Sequence, residues 1–264
     1  WLQEEDIPYK GRKKRPHRQW RPRKDYRGEM VQMDGSHHDW FEGRGPWCVL
    51  MGYVDDATGT VYARFYEYEG TLPAMDGFKR YVRLYGLPQS VYLDRHSTYK
   101  ITAKQTIEEE LNDIQPMSHF EKSLAVLVVE VIHAYSPQAK GRIERLFGTF
   151  QDRVVKEMRL AGVTNITEGN AFLEGYLPEF NRMFAKEAAQ QADFHRPVAN
   201  KRALDTILSI KTDRALRNDF TIAHNKKLYQ IKSNVRAKKL TVEERTDGTM
   251  RITHNGQLLK YQEI

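Results

Sequence analysis

From Met30 onward the chain changes from a polar, basic run to alternating and continuous apolar segments. Met30 to Ser36 reads as a first strand. Trp47 to Val54 is a continuous apolar run, expected to be a strand buried on both faces. Asp55 to Thr60 has the composition of a hairpin turn, and Val61 to Tyr68 reads as a third strand. A helix is expected over about Leu72 to Tyr85, because Met75, Phe78, Val82 and Tyr85 recur at helical spacing and Gly86 ends the run. Val91 to Asp94 is a short fourth strand. Such a β-helix-β passage predicts that this strand runs parallel to a neighbour.

Residues 100–125 are charged and read as helical, with a break near Pro116. Leu127 to His133 is a fifth strand. Lys140 to about Leu160 is a long helix whose apolar stripe is Ile143, Leu146, Phe147, Phe150, Val154 and Met158. Another helix is expected from about Glu168 to Phe184. This order predicts a mixed α/β fold with a five-stranded sheet. Residues 185–216 read as a polar, partly helical connector. The tail, 217–264, has short strand-like pieces, with Asp247-Gly248 and Asn255-Gly256 as hairpin signals; it is expected to form a small basic β-barrel. Residues 1–28 are a basic arm, so the folded core is expected over 29–184.

A length of 264 residues fits one large domain and a smaller one, and 40% hydrophobic residues suffice for a core. No apolar run approaches bilayer length, so no membrane partner is expected. The start carries no signal-peptide pattern. The chain opens on Trp1 rather than Met and is expected to be part of a longer protein. A single cysteine, Cys48, excludes an internal disulfide and a cysteine-rich zinc site. It sits in an apolar run and reads as a small buried hydrophobe. This usage fits a reducing cytoplasm. A net charge of +7 favours an anionic partner. The run from Lys10 to Arg27, which includes Arg18 and Arg21, suits an extended arm along a phosphate backbone.

Three acids then stand out: Asp34 at the end of the first strand, Asp94 at the end of the fourth, and Glu144 at the start of the long helix. Two divalent ions about 3.5–4 Å apart can activate an oxygen nucleophile and stabilise the leaving oxygen in phosphodiester chemistry. Mg²⁺ takes hard oxygen ligands and few carboxylates, so three shared between two ions is a sensible number. If the first strand is central and pairs with the fourth, Asp34 and Asp94 lie side by side. Spacing alone is a weak signal among 35 acidic residues. Asp55 and Asp56 are explained by the turn, Glu130 by a strand surface, and Asp39 and Glu42 as loop acids. Glu144 could equally pair with Lys140 one turn earlier. Core packing is expected for Trp47.

The segments around these acids add specificity. Val31-Gln32-Met33-Asp34-Gly35, Tyr85-Gly86-Leu87-Pro88 leading to Asp94, and Ser136-Pro137 followed by Lys140-Gly141-Arg142-Ile143-Glu144 resemble motifs of the DDE transposases of bacterial insertion sequences. These enzymes fall within the retroviral-integrase catalytic-core superfamily. The resemblance runs over about 28–184, and the tail is similar to the SH3-like barrel that often follows such a core. It implies an RNase H-like fold, with Asp34, Asp94 and Glu144 holding two Mg²⁺ ions, Mn²⁺ being able to substitute. It implies cleavage at transposon ends and transfer of the freed 3′-OH into target DNA, with no covalent protein–DNA intermediate. At least a dimer is expected, because two ends must be synapsed, and the site of action would be the cytoplasmic nucleoid. Lys140, Arg142 and Arg145 are candidate contacts to the DNA, as are Arg18 and Arg21 in the arm.

Two features depart from the pattern. Asp94 and Glu144 are separated by 49 residues, more than is usual, with the surplus assigned to an insertion at about 100–125. Asp94 is followed by Arg95-His96-Ser97, and His96 is open between a contact to DNA or water and a solvated role. An N-terminal helix-turn-helix region that reads the terminal repeats is expected outside this chain. Competing readings are a nuclease on the same fold and a domesticated DNA-binding derivative. The basic flanks argue against the first, and the intact acids against the second.

Overall fold

The computed structural model describes residues 21–93, 117–133, 141–198 and 200–264. Five strands form its central sheet: β2 (Met30–His38), β3 (Cys48–Asp55), β4 (Val61–Tyr66), β5 (Ser90–Leu93) and β6 (Glu130–His133). A short β1 (Tyr26–Arg27) precedes them. The spatial order is β4-β3-β2-β5-β6. β2, β3 and β4 are antiparallel, whereas β5 pairs parallel with both β2 and β6. The first long strand is therefore central, and the fourth lies beside it in parallel, as the β-helix-β passage predicted.

β3 is buried at all eight positions because both of its faces are covered. Helix α1 (Thr71–Tyr85) and α2 (His119–Val126) pack on one face, where Met75, Phe78, Phe120 and Leu124 meet Val31, Met33, Met51 and Tyr53. The other face carries α3 (Gly141–Leu160) and α4 (Ile166–Phe184). All six residues of the predicted α3 stripe are buried there, against Leu50, Val54, Phe65 and Trp40. At this contact the helix comes close to the sheet: a Cβ on Gly52 would lie 3.1 Å from the Phe147 ring.

Among the described residues, the outer edge of β4 has no strand beside it, and two asparagines of α4 take that place. Asn170 accepts from the Phe65 N–H at 2.8 Å and donates to the Phe65 carbonyl at 3.1 Å. Asn181 does the same for Val61, at 2.7 and 2.8 Å. Each side-chain amide mimics the peptide group of a neighbouring strand, so the open ladder is satisfied and blunted against further pairing.

Several elements differ from expectation. β6 starts at Glu130 rather than Leu127, because the preceding residues close the end of α2: Val129 N donates to Leu124 O at 2.9 Å, and Val128 takes φ +55°. The 185–216 stretch is helical in part, as expected, but also contributes strands. β7 (Gln190–Asp193) pairs with β1, and α5 (Lys201–Ile207) has seven residues. β8 (Ser209–Ala215) pairs along its length with β11 (Lys239–Arg245) of the tail. Its alternation of half-buried and exposed residues is that of a strand with one covered face.

The tail also contains β9 (Thr221–His224), β10 (Lys227–Ile231), β12 (Met250–His254), β13 (Gln257–Leu258) and β14 (Tyr261–Glu263). Both predicted hairpin signals sit in turns; Asn255 and Gly256 have φ of +48° and +79°. The strands do not close into one continuous sheet. The strands make two open sheets, β13-β12-β11-β8 and β14-β10-β9, over one core that includes Ile222, Ile231, Val242 and Ile252. The end of the chain joins the two sheets: β13 pairs with β12, then the chain crosses at Leu259-Lys260 and β14 pairs with β10. The tail is seated on α1 and α5 through buried Lys79 of α1, which pairs with Asp205 of α5 at 3.1 Å and reaches Thr246 of the tail. Arg245 adds a hydrogen bond to Thr206 Oγ1 at 2.8 Å.

Candidate active site

Gln32, Asp34 and Ser36 alternate along β2, so they share one face. That face lies under α3 at both ends of the set. Ile143 N donates to Gln32 Oε1 at 3.3 Å, and Gln151 Nε2 donates to Ser36 Oγ at 3.3 Å. Asp34, midway between them, is half-buried, and its Oδ1 accepts from Gly35 N at 3.1 Å. Its ladder partner is Gly52, the residue on which Ile143 and Phe147 pack. Glu144 follows Ile143 in the first turn of α3 and is exposed. Glu144 and Gln151 are about two turns apart and so lie on one side of the helix. Two of the three proposed acids are thereby carried on facing elements.

The third acid, Asp94, lies outside the described residues, as do Lys140, Arg18 and His96. The strand leading to Asp94 is described: β2 and β5 pair in parallel with Gln32 opposite Tyr92. These partners each precede an acid of the set by two positions. Among the described residues, no group of three or more His, Cys, Asp or Glu side chains gathers as a metal site.

The turn after β3 holds more than a turn. Asp55 does cap it, accepting from Thr58 N at 2.8 Å and Thr58 Oγ1 at 2.7 Å. Asp56, however, is fully buried and gathers four donors. Arg21 Nη2 pairs with its Oδ1, Arg142 Nη1 donates to the same oxygen at 2.8 Å, and Gln32 Nε2 donates to it at 2.7 Å. Lys24 N donates to Oδ2 at 2.8 Å. Arg142 Nη2 also donates to the Arg21 carbonyl at 2.9 Å. Burial lowers the Arg142 pKa below the ordinary arginine value, and the Asp56 carboxylate opposes that shift. A buried carboxylate needs this number of donors to offset its lost hydration.

Two of the four arginines expected at DNA, Arg21 and Arg142, thus have guanidinium groups on Asp56. Arg145 is exposed on the first turns of α3. Asp39 and Glu42 hold the loop after β2: Asp39 accepts from Gly43 N at 3.0 Å, and Glu42 pairs with Arg159 at 3.3 Å. Trp47 is 60% exposed, which corrects the expectation of core packing. Trp40 is the buried tryptophan, its indole N–H donating to Ser36 O at 3.0 Å. Gly45-Pro46 leaves Trp47 just outside the ladder, which starts at Cys48. Cys48 is buried, and burial, aided by Asp39, pushes its thiol up to about 12, so it supplies no thiolate to a metal or a nucleophilic step. One acid was missed from sequence. Glu69 brings its carboxylate against Gly35, where an added Cβ would lie 2.8 Å from Glu69 Cδ. In sequence it looks like one more polar residue at a strand exit.

Comparison with known proteins places the chain among relatives of known type. The chain is 37% identical over 199 residues to the putative transposase y4bF of Sinorhizobium fredii, covering 75% of the chain and 42% of that protein. It is 28% identical over 211 residues to the transposase for insertion sequence IS1202 of Streptococcus pneumoniae, covering 79% of the chain and 44% of that protein. The chain is related to the bacterial transposases. It spans less than half the length of these two relatives. No family model matches it. Solved structures with partial likeness include a chain of the simian T-cell lymphotropic virus intasome in complex with PP2A regulatory subunit B56 gamma. That match has a TM-score of 0.48 and 14% identity over 93% of this chain and 84% of that one. The HTLV-2 integrase catalytic core domain with magnesium matches at a TM-score of 0.46 and 14% identity, over 65% of this chain and 98% of that one. Among the described residues of this transposase relative, no helix is long and apolar enough to cross a membrane.

Proposed function

We propose that this chain carries the catalytic core of a DNA transposase with an RNase H-like fold. Asp34, Asp94 and Glu144 are its acids. The observation that carries the reading is the placement of Asp34 and Glu144 on facing elements, β2 and α3, in a chain related to transposases. Hard carboxylate oxygens at a half-buried strand position and an exposed first helical turn fit divalent ions with open positions for water and phosphate. Asp34, Asp94 and Glu144 would hold two Mg²⁺ or Mn²⁺ ions. When bound, such ions polarise the scissile phosphate and lower the pKa of the attacking hydroxyl.

The reaction proposed is hydrolysis at an element end, which frees a 3′-OH, then in-line attack of that 3′-OH on target DNA. Each step forms one P–O bond and breaks another, and the leaving oxygen departs as a hydroxyl. Arg18, Lys140 and Arg145 are proposed as phosphate contacts. A phosphate at Arg21 or Arg142 would have to compete with Asp56. The partners proposed are transposon-end and target DNA and at least one further copy of the protein, acting at the bacterial nucleoid. The tail, although two open sheets rather than a closed barrel, remains basic and suited to DNA.

The test is a strand-transfer assay using the full-length protein, oligonucleotides with the ends of its own element, and Mg²⁺ or Mn²⁺. Joined products are expected from the wild type and not from Asp94→Asn, with DNA binding retained in both. Joining by Asp94→Asn would overturn the assignment of that acid. Binding should also weaken steeply with salt, and a flat response would count against the basic arm as a phosphate contact.

A further inference from the structure

Gln32 is fully buried, and its side-chain amide is used at both ends. Its Nε2 donates to Asp56 Oδ1 at 2.7 Å, and its Oε1 accepts from Ile143 N at 3.3 Å. Ile143 lies in the first turn of α3, where backbone N–H groups have no partner within the helix. Gln32 therefore caps this end of α3 from the sheet, and the cap is one residue from Glu144. On β2, Gln32 is two residues from Asp34 and on the same face. One side chain thus touches both elements that carry described acids of the site.

Asp56 sets the orientation of that amide. A carboxylate accepts and does not donate, so it must face the Nε2 side of Gln32, leaving Oε1 toward Ile143. Asp56 also draws Arg142, the residue before Ile143, by an ion pair of 2.8 Å. The first turn of α3 is therefore held at two successive residues, by Gln32 and by Asp56. The same carboxylate binds Arg21 and Lys24, so the end of the basic arm is seated on the same point.

We propose that Gln32 and Asp56 are positioning residues that fix Glu144 over Asp34 for divalent-metal binding. The inference rests on the reading of Asp34 and Glu144 as metal ligands. Residues that orient metal ligands through one hydrogen bond typically change metal affinity roughly 10- to 100-fold when removed. Gln32→Met keeps the volume and removes both hydrogen bonds. Asp56→Asn keeps the shape and removes the charge that holds Arg142.

The experiment is a Mn²⁺ titration of the full-length protein followed by electron paramagnetic resonance, with a thermal melt to establish that each variant is folded. The metal dependence of strand transfer is measured in parallel. Folded Gln32→Met is expected to bind Mn²⁺ roughly tenfold more weakly. Its strand transfer should need more metal for half-maximal rate, while the rate at saturating metal stays near wild type. A purely structural role would lower the folded fraction without that split. Wild-type Mn²⁺ affinity in folded Gln32→Met would overturn the proposal. If Gln32→Met does not fold, Asp56→Asn decides: weaker binding supports the proposal, and unchanged binding overturns it. Glu144→Gln in the same titration separates the two levels. If it binds Mn²⁺ as the wild type does, the ligand reading itself falls, and the positioning role with it. If Glu144→Gln loses the metal and both other variants keep it, only the positioning role falls.

Discussion

Val31 and Met33 point from β2 into an apolar core beneath α1 and α2, whereas Gln32, Asp34 and Ser36 point from the same strand toward α3. Neighbouring β3 is apolar on both sides: Val49, Met51 and Tyr53 face one cluster, and Cys48, Leu50 and Val54 the other. The strip of β2 under α3 is thus a polar seam within an otherwise apolar sandwich. Buried polar groups cost stability unless each finds a partner. The seam meets that cost with the Gln32–Asp56–Arg142 network and leaves Asp34 half-buried beside it. One face of the strand supplies stability, and the other a supported place for carboxylates.

That contrast can be broken most severely at Asp34 or Glu144. Asp34→Asn and Glu144→Gln are each expected to lower strand transfer by about three orders of magnitude, corresponding to roughly 4 kcal/mol of lost transition-state stabilisation. Melting temperatures should stay close to wild type. An assay of both variants, paired with thermal melts, checks this, and near-normal joining by either would remove that residue from the site. Met33→Ala attacks the opposite face one residue away. It should cost about 2–5 kcal/mol in urea unfolding. The activity of the protein that remains folded should be nearly unchanged. Loss of metal-dependent activity in folded Met33→Ala would show that the two faces are not separable.

Smaller effects sharpen the picture on the α3/α4 side. Asn170→Ala leaves the Phe65 N–H and carbonyl without their amide partner and should cost about 1–3 kcal/mol. It should not alter the metal dependence of joining, because the pair serves the sheet edge. A shift in metal dependence would mean that this edge communicates with the site. The smallest effect is expected at Cys48. With its thiol pushed up to about 12 by burial, it should resist iodoacetamide at neutral pH in the native protein and react in urea. Rapid native labelling would show that the cluster beneath α3 opens readily.

Much of this architecture can be read along the chain where local patterns are strong. The α3 stripe, the run in β3 and the Gly86 stop each depend on residues close in sequence, and their elements appear with bounds shifted by a residue or two. Asp34 and Glu144 were legible because their motifs surround them. Asp56 was not. Beside Asp55, Gly59 and Thr60 it looks like ordinary turn chemistry, and only donors 24 to 86 positions away reveal its role. Trp40 and Trp47 have similar sequence contexts, and the start of the β3 ladder decides which is buried. β8 was hidden because its pairing partner, β11, lies across intervening strands.

The sequence by itself determined most strands of the central sheet and its long helices, and it singled out Asp34, Asp94 and Glu144 as acids suited to divalent ions. Periodicity and motif are properties of neighbouring residues, so they survive without a fold. Tertiary structure decided that Gln32 turns its amide between Asp56 and Ile143, that two asparagines close the β4 edge, and that the tail makes two open sheets. Those outcomes depend on satisfying buried hydrogen-bonding groups with whatever partners the fold brings near, and distance in space is not written in distance along the chain.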